Sequence, residues 1–474
     1  MPTSGSPERR FALGLWAVAL VTLWRVALLP FDSADLFVDD AQYWFWGREL
    51  AWGYYSKPPL IGWLLRLSTA IGGDAPFWIR VPLPLIHGGT AVVVALIARR
   101  LYGGRAGGIA GFAFATLPAV ALASLLASTD TPMLFCFALA LLAWLRLAEG
   151  RSAGWAVVLG AAVGTGLLAK YAMVYFPLCA VLAAALVPSA RVAWRDALVA
   201  AAVAAALIAP NLMWNATNQF ATLHHTADNA DWQGLSLDFD EFAEFLSAQF
   251  AVSGPVFFLA TLAGYLRLRD PVRLTLALFS LPVFAVVSMQ ALFSGANVNW
   301  AAVGHVAGLV LAIAELLPRP RLLALGLAIN LAVTVALPVA AVYADRWKIG
   351  DNLVLARYVG QSALASKAAE VARETGLPTL VSGNRAYLAA FFYALRDSGL
   401  ALYAEPVQGF PPHHYAQKHP LPPGPDDVLY VNRYPPACLN TAVAPQEVAA
   451  WRPALGFETH EVHAWRVPRA CWFP

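Results

Sequence analysis

Two adjacent carboxylates, Asp39-Asp40, follow an apolar run from about Phe11 to Pro30. Charge at a membrane boundary is costly unless a ligand, a metal or a reaction requires it. A carboxylate here can act as general base on a hydroxyl, or hold a cation that neutralises phosphate. The plainer reading is a helix N-cap, which one aspartate satisfies and two exceed. Tyr54-Tyr55-Ser56-Lys57-Pro58-Pro59 follows, with a lysine set between tyrosines and a Pro-Pro helix start. Lys57 either snorkels to headgroups or meets an anionic phosphate. Asp130, in Ser128-Thr129-Asp130-Thr131-Pro132, fits an N-cap and can also face a site. Lys170-Tyr171 interrupts an apolar stretch, as an interfacial anchor or as a further cation for phosphate. Of His224-His225, one can bind substrate or a metal, because adjacent side chains diverge. Asn299-Trp300 opens another apolar run, as a cap with a belt tryptophan or as a sugar contact.

These residues need a membrane frame. The chain has 474 residues, 59% hydrophobic and 13% charged, against about 25% charged in a soluble domain. Apolar blocks, mostly of about 17 to 23 residues, suit a hydrocarbon core about 30 Å thick. We place spans at about 11–30, 84–102, 106–126, 131–147, 154–169, 172–188, 196–213, 248–267, 272–290, 299–317 and 321–343. The first reads as an uncleaved span, since no small-residue cleavage site follows it.

If these eleven spans alternate, six arginine clusters share one side: Arg9/Arg10, Arg99/Arg100/Arg105, Arg146/Arg151, Arg191/Arg195, Arg267/Arg269/Arg273 and Arg319/Arg321. The positive-inside rule makes that side cytoplasmic. Every chemistry-bearing residue named above then falls on the other side. It holds the first loop (about 31–83), a second large loop (about 214–247) and everything beyond about residue 344. Asp228, Asp231, Asp238 and Asp240 in the second loop read as solvated.

The first loop carries two amphipathic interfacial helices, Ala41 to Leu50 and Pro59 to Ile71. Residues 344–474 lose the long apolar runs and alternate helix-like (Arg357 to Thr375, Ala386 to Arg396) with strand-like segments (Thr379 to Ser382, Val428 to Asn432, Thr459 to Val467). The expected fold is therefore an all-α polytopic membrane protein, 1–343, with a small periplasmic α/β domain, 344–474. Cys438 and Cys471, on the outer side, can pair as a disulfide. No basic stripe with interleaved aromatics marks a nucleic-acid surface. No Walker A loop, CxxC pair, GxSxG elbow or dinucleotide fingerprint is present.

Asp39-Asp40-Ala41-Gln42-Tyr43-Trp44 and Trp52-Gly53-Tyr54-Tyr55-Ser56-Lys57-Pro58-Pro59 resemble the first outer loop of the GT-C glycosyltransferases of family 39. These are relatives of dolichyl-phosphate-mannose protein mannosyltransferases and bacterial aminoarabinose lipid A transferases. Ser128-Thr129-Asp130, Lys170-Tyr171, Pro210-Asn211-Leu212-Met213-Trp214-Asn215 and Asn299-Trp300 are similar to the family's pattern too. The resemblance covers about residues 30–345. It implies an inverting glycosyltransferase that takes a sugar from a polyprenyl phosphate to a hydroxyl of lipopolysaccharide or lipid A, another lipid, or a protein. Asp39 matches the family's catalytic carboxylate, and Lys57 the lysine that contacts the lipid phosphate. Asp40 stands where glutamate is usual. Ser56 replaces a glutamate of the aminoarabinose transferase, which weakens a divalent-cation site of that kind. The Tyr-Tyr-Ser-Lys-Pro-Pro variant is similar to bacterial enzymes that add uronic acid or other sugars to lipopolysaccharide.

The expected site is then Asp39 and Asp40 for catalysis, with Tyr54, Tyr55, Lys57, Asp130, Lys170, Tyr171, His224, His225 and Asn299 for donor and substrate. No nucleotide or redox cofactor is implied. The competing class is a polyprenyl-lipid flippase or transporter, which would bury charge mid-membrane and carry repeated halves.

Overall fold

A computed structural model describes residues 7–230, 237–440, 442–453 and 456–473. Asp231 lies outside them. The membrane half is helical throughout. Among the described residues, six helical segments are long and apolar enough to cross a bilayer: Pro7–Phe31, Pro76–Tyr102, Asp130–Glu149, Trp194–Thr217, Pro271–Ser294 and Pro320–Val342. The chain is a multi-pass membrane protein.

Fewer of the eleven apolar blocks form full-length helices than their lengths suggest, and Pro, Gly and polar residues explain why. Phe239–Ser253 and Pro255–Tyr265 meet at 112°. Between them Gly254 has φ +84°, Pro255 starts the second helix, and a Cβ on Gly254 would fall 2.0 Å from Asn330 Oδ1. The expected span 106–126 divides into Gly104–Ala115 and Pro118–Ala123. Lys170 is extended, which separates Ala153–Ala169 from the turn at Tyr171–Val174. Ala153–Ala169, Tyr171–Leu186, Gly304–Leu316 and Leu60–Gly72 are shorter than a full crossing. Close helix packing also uses glycine: a Cβ on Gly14 would meet the Gly108 backbone at 2.3 Å.

Several arginine clusters meet at one end of the bundle through ion pairs. Arg99 reaches Glu8 at 2.8 Å, Arg100 pairs with Glu149, and Arg151 lies 3.9 Å from Asp196. Arg267, Arg273 and Arg319 share the buried Glu315.

At the opposite end lie the first-loop helices, Val38–Arg48 and Leu60–Gly72, close to the expected bounds. Beyond residue 343 comes a short hairpin, β1 (Lys348–Ile349) and β2 (Asn352–Leu353), then a five-stranded sheet. Its strands are β3 (Thr379–Ser382), β4 (Ala401–Ala404), β5 (Val428–Asn432), β6 (Gln446–Trp451) and β7 (Val462–Val467), in the order β4-β3-β5-β7-β6. β3 runs parallel to β4 and β5, and β7 antiparallel to β5 and β6. Helices Gln361–Thr375 and Arg385–Ala394 bury their apolar sides with the sheet in one core. Arg357, expected inside the first of these, belongs to a separate 3-10 turn, Ala356–Tyr358. Cys438 and Cys471 form a disulfide with Cα atoms 4.5 Å apart.

This sheet unit grips the first loop. Tyr393 donates to the Asp74 carbonyl at 2.9 Å, and Trp44 meets Tyr393 edge-on at 5.1 Å. Phe45 packs on Phe392 at 4.8 Å and on Tyr415 at 5.6 Å.

Candidate active site

Helix Val38–Arg48 starts at Phe37 without a side-chain cap, and both aspartates lie in its first turn. Neither one caps it. The helix dipole favours their charge there, but their surroundings differ. Asp40 is fully buried and its Oδ1 accepts the Ala127 N–H at 2.6 Å. Its Oδ2 has no hydrogen-bond partner among the described residues and lies 3.6 Å from Arg80. Arg80 itself is held by Asp32 at 2.8 Å and by the Asp35 carbonyl at 2.6 Å. Burial pushes the Asp40 carboxyl up to about 7, with Arg80 pulling the other way. Asp40, expected to share in catalysis, is thus enclosed in this structure, where it ties the first loop to the turn before Asp130.

Asp39 is partly exposed, and Arg385 donates Nη2 to its Oδ1. Arg385 also donates Nε to Gln42 Oε1 at 2.8 Å, which fixes the guanidinium plane. Asp39 Oδ2 has no partner among the described residues. The side chain is thus oriented through one oxygen and open at the other.

Lys57 is partly buried and has no ion-pair partner among the described residues. Burial, then the nearby Lys170, lowers its ammonium from 10.5 to about 8, while Asp39 and Asp130 oppose the shift. Asp130 is the first residue of its helix and caps nothing with its side chain. It accepts Lys170 Nζ at 2.7 Å and Asn299 Nδ2 at 2.6 Å. Three residues far apart in sequence, Asp130, Lys170 and Asn299, therefore form one cluster beside Lys57.

Tyr54, expected at the substrate, is buried and packed within the first loop in this structure. It stacks on Trp46 at 4.6 Å with planes 2° apart, and its hydroxyl donates to the Trp46 carbonyl at 2.7 Å. Tyr171 is likewise used internally. It donates to Asn211 Oδ1 at 2.7 Å and accepts from Asn215 at 2.9 Å, while Asn211 donates to the Trp52 carbonyl at 2.6 Å. Tyr55 is buried 5.4 Å from the His225 ring and 6.0 Å from Phe410. His224, exposed, meets the other flank of Phe410 at 5.7 Å. Burial, then Lys57, holds His225 down to about 4, so it is neutral at ordinary pH.

Among the described residues no group of three or more His, Cys, Asp or Glu is arranged to hold a metal. Asp39 and Asp130, the carboxylates nearest Lys57, are engaged by Arg385 and Lys170. The residues present do not fit a bound divalent cation.

Two cavities flank this cluster. One, of about 440 Å³, is apolar and lined by Leu60, Leu64, Pro132, Phe135, Leu139 and Val158. It begins just past Lys57-Pro58-Pro59 and just past Asp130. The other, of about 420 Å³, lies between Asp39 and the sheet unit. Arg385 and Gln42 did not emerge from the sequence. The available signal was Asn384-Arg385 at a helix start just past parallel strand β3, where α/β sheets place ligands.

The family model described as dolichyl-phosphate-mannose-protein mannosyltransferase matches residues 56–214. The lipid A galacturonosyltransferase RgtD of Rhizobium johnstonii is 38% identical over 97% of this chain and 99% of its own length. An undecaprenyl phosphate-alpha-4-amino-4-deoxy-L-arabinose arabinosyl transferase of Pseudomonas fluorescens is 29% identical over 34% of this chain and 32% of its own. In fold, the chain is similar to ArnT from Cupriavidus metallidurans bound to undecaprenyl phosphate. The TM-score is 0.68 at 15% identity, over 95% of this chain and 97% of that one. With the lipid A galacturonosyltransferase matched along its whole length, the chain belongs to family 39 of the GT-C glycosyltransferases and is a membrane glycosyltransferase.

Proposed function

We propose that the protein transfers a uronic sugar from a polyprenyl phosphate to a hydroxyl of lipid A or a related glycolipid, with inversion at the anomeric carbon. The observation that carries this reading is Lys57: a partly buried ammonium with no ion-pair partner among the described residues, with Lys170 nearby and three residues before Leu60, which lines an apolar cavity. A lipid phosphate supplies the missing charge there, and the apolar cavity suits the first isoprene units of its tail. The uronic sugar and the lipid A acceptor rest on the named activity of the relative at 38% identity.

In the reaction Asp39 Oδ2 accepts the proton of the acceptor hydroxyl as its oxygen attacks the anomeric carbon. The bond from that carbon to the phosphate oxygen breaks, and the electron pair leaves with the polyprenyl phosphate. Lys57 stabilises the charge that grows on this phosphate, and it does so in a partly water-excluded site. Lys170, held by Asp130, whose other oxygen accepts from Asn299, adds to the local potential. His225, neutral, and Tyr55 border the same space, while His224 lies at its outer edge. The arginine-rich end of the bundle faces the cytoplasm of a plasma membrane, with the N-terminus inside. The site, the 214–247 loop and the disulfide-linked unit from 344 onward face the outside.

The test is incubation of the purified protein in nanodiscs with a panel of polyprenyl-phosphate sugars and a lipid A acceptor. Consumption of a uronosyl donor that Asp39→Asn abolishes is the expected result. If no donor is consumed, or Asp39→Asn keeps the rate, the reading falls. For orientation, single cysteines in the 214–247 loop should react with impermeant maleimide added outside.

A further inference from the structure

The cavity between Asp39 and the sheet unit has no role in the chemistry above. It measures about 420 Å³ and is lined by Phe37, Val38, Asp39, Arg357, Asn384, Arg385, Ala386 and Phe457. Its lining carries two guanidinium groups and one carboxylate. Asp39 neutralises Arg385, so Arg357 is the surplus cation. The Arg357 guanidinium lies over the Phe37 ring, 4.8 Å from its centroid. Among the described residues this guanidinium has no hydrogen-bond or ion-pair partner. Arg385 uses Nη2 on Asp39 and Nε on Gln42, and its Nη1 has no hydrogen-bond partner among the described residues. Asn384 uses Oδ1 to cap its helix at the Ala386 N–H, 2.8 Å away, and its Nδ2 has no hydrogen-bond partner among the described residues. Three donor groups from two short segments of the sheet unit therefore line one cavity, and one aspartate oxygen separates it from the reaction centre.

We infer that this cavity is an oxyanion subsite, in which Arg357, Asn384 and Arg385 Nη1 hold an anionic group of a substrate other than the donor phosphate. The inference rests on the glycosyltransferase reading above. The donor phosphate already has its own cations, Lys57 and Lys170, so a second positive cavity on the other flank of Asp39 serves a second anion. Guanidinium forks match carboxylate and phosphate alike. Two sources carry such a group: the carboxylate of the transferred uronic sugar, and a phosphate on the acceptor glycolipid. The carboxylate lies within one sugar ring of the anomeric carbon, and the cavity adjoins the base.

The experiment uses Arg357→Gln, because Arg385 also positions Asp39. Full-length wild type and variant are assayed with two donors that differ only at C6, a uronosyl and a neutral hexosyl polyprenyl phosphate. Each is tested on acceptors with and without a phosphate. A roughly tenfold rise in KM, the size of one charge-assisted hydrogen bond, confined to the uronosyl donor identifies the sugar carboxylate. A rise confined to the phosphorylated acceptor identifies the acceptor phosphate. No change with any pair overturns the subsite. Inactivity of the wild type towards every polyprenyl phosphate would instead overturn the functional reading. In that case thermal shift with free galacturonate, galactose and inorganic phosphate decides separately. Protection by either anion but not by galactose, lost in Arg357→Gln, supports the subsite; equal behaviour of the two proteins overturns it.

Discussion

Replacing Lys57 by methionine should make the protein more stable and less active at once. The ammonium titrates at about 8 in the folded protein against an ordinary 10.5, chiefly through burial and then through Lys170. Between those values the folded state binds fewer protons than the unfolded chain, so stability rises as pH climbs from about 8 to 10.5. Below about 8 the penalty is present in full. At 1.36 kcal/mol per tenfold change it amounts to about 3 kcal/mol. Methionine keeps most of the stem volume and removes that penalty. The melting temperature of Lys57→Met, read by intrinsic fluorescence without donor at pH 7, should rise by a few degrees. The gain should shrink as pH is raised towards 10. With a polyprenyl-phosphate donor the variant loses one charged hydrogen bond, worth about 1.5–3 kcal/mol, so kcat/KM should fall about 10- to 100-fold. Wild-type kcat/KM should itself decline above about pH 8 as Lys57 loses its proton. A variant that melts lower than wild type at pH 7 and keeps its kcat/KM would refute the idea of a cation kept unpaired for the donor.

Other expectations follow from the same geometry. Asp40 titrates at about 7 against an ordinary 3.8, so wild-type stability should fall as pH rises from about 4 to 7 and stay low above it. Asp40→Asn, which keeps an acceptor for the Ala127 N–H, should flatten that slope in melts taken between pH 5 and 8. Asp130→Asn strips Lys170 of its counter-ion and should cost about 3–5 kcal/mol of stability. Adding Lys170→Met should recover part of the loss, and purely additive melting shifts in the double variant would contradict a coupled pair. Reducing the Cys438–Cys471 bridge, which closes a loop of 33 residues, should destabilise the sheet unit by about 3–4 kcal/mol. Hydrogen exchange should then speed up in β5 and β7 and not in the membrane helices.

The sequence carried what depends on local pattern. The pair Asp39-Asp40, the apolar blocks and the bounds of β3 and β5 all stand in short contiguous segments. Helix Arg385–Ala394 was expected one residue late, and Gln361–Thr375 was drawn four residues too long at its start. The breaks inside apolar blocks were harder, since Gly254-Pro255 and Pro118 sit within runs whose mean composition reads as continuous. Strand β4 is Ala-Leu-Tyr-Ala and β6 is Gln-Glu-Val-Ala-Ala-Trp, neither with the alternation that marks a half-buried strand. Within the site, residue types were legible and partnerships were not. Asp39 and Asp40 are neighbours in the chain, yet one opens on a cavity and the other is sealed against Ala127. That difference comes from Arg80 and Arg385, one 40 positions after Asp40 and the other 346 positions after Asp39. No periodicity records such an approach. Tyr54 shows the converse, since an aromatic beside Lys57 suggests a ligand contact until its hydroxyl is found on the Trp46 carbonyl.

The contact between Asp39 and Arg385 also sets an order of assembly. Asp39 is among the first residues made, and its partner is among the last quarter. Trp44 and Phe45, on the same first-loop helix, wait for Tyr393, Phe392 and Tyr415. Until the sheet unit has docked, Asp39 has no guanidinium to orient it and the second cavity has no far wall. On the proposed mechanism, a nascent chain with every span inserted is thus still inert. Competence arrives as a last step, when the tail of the polypeptide closes over its head.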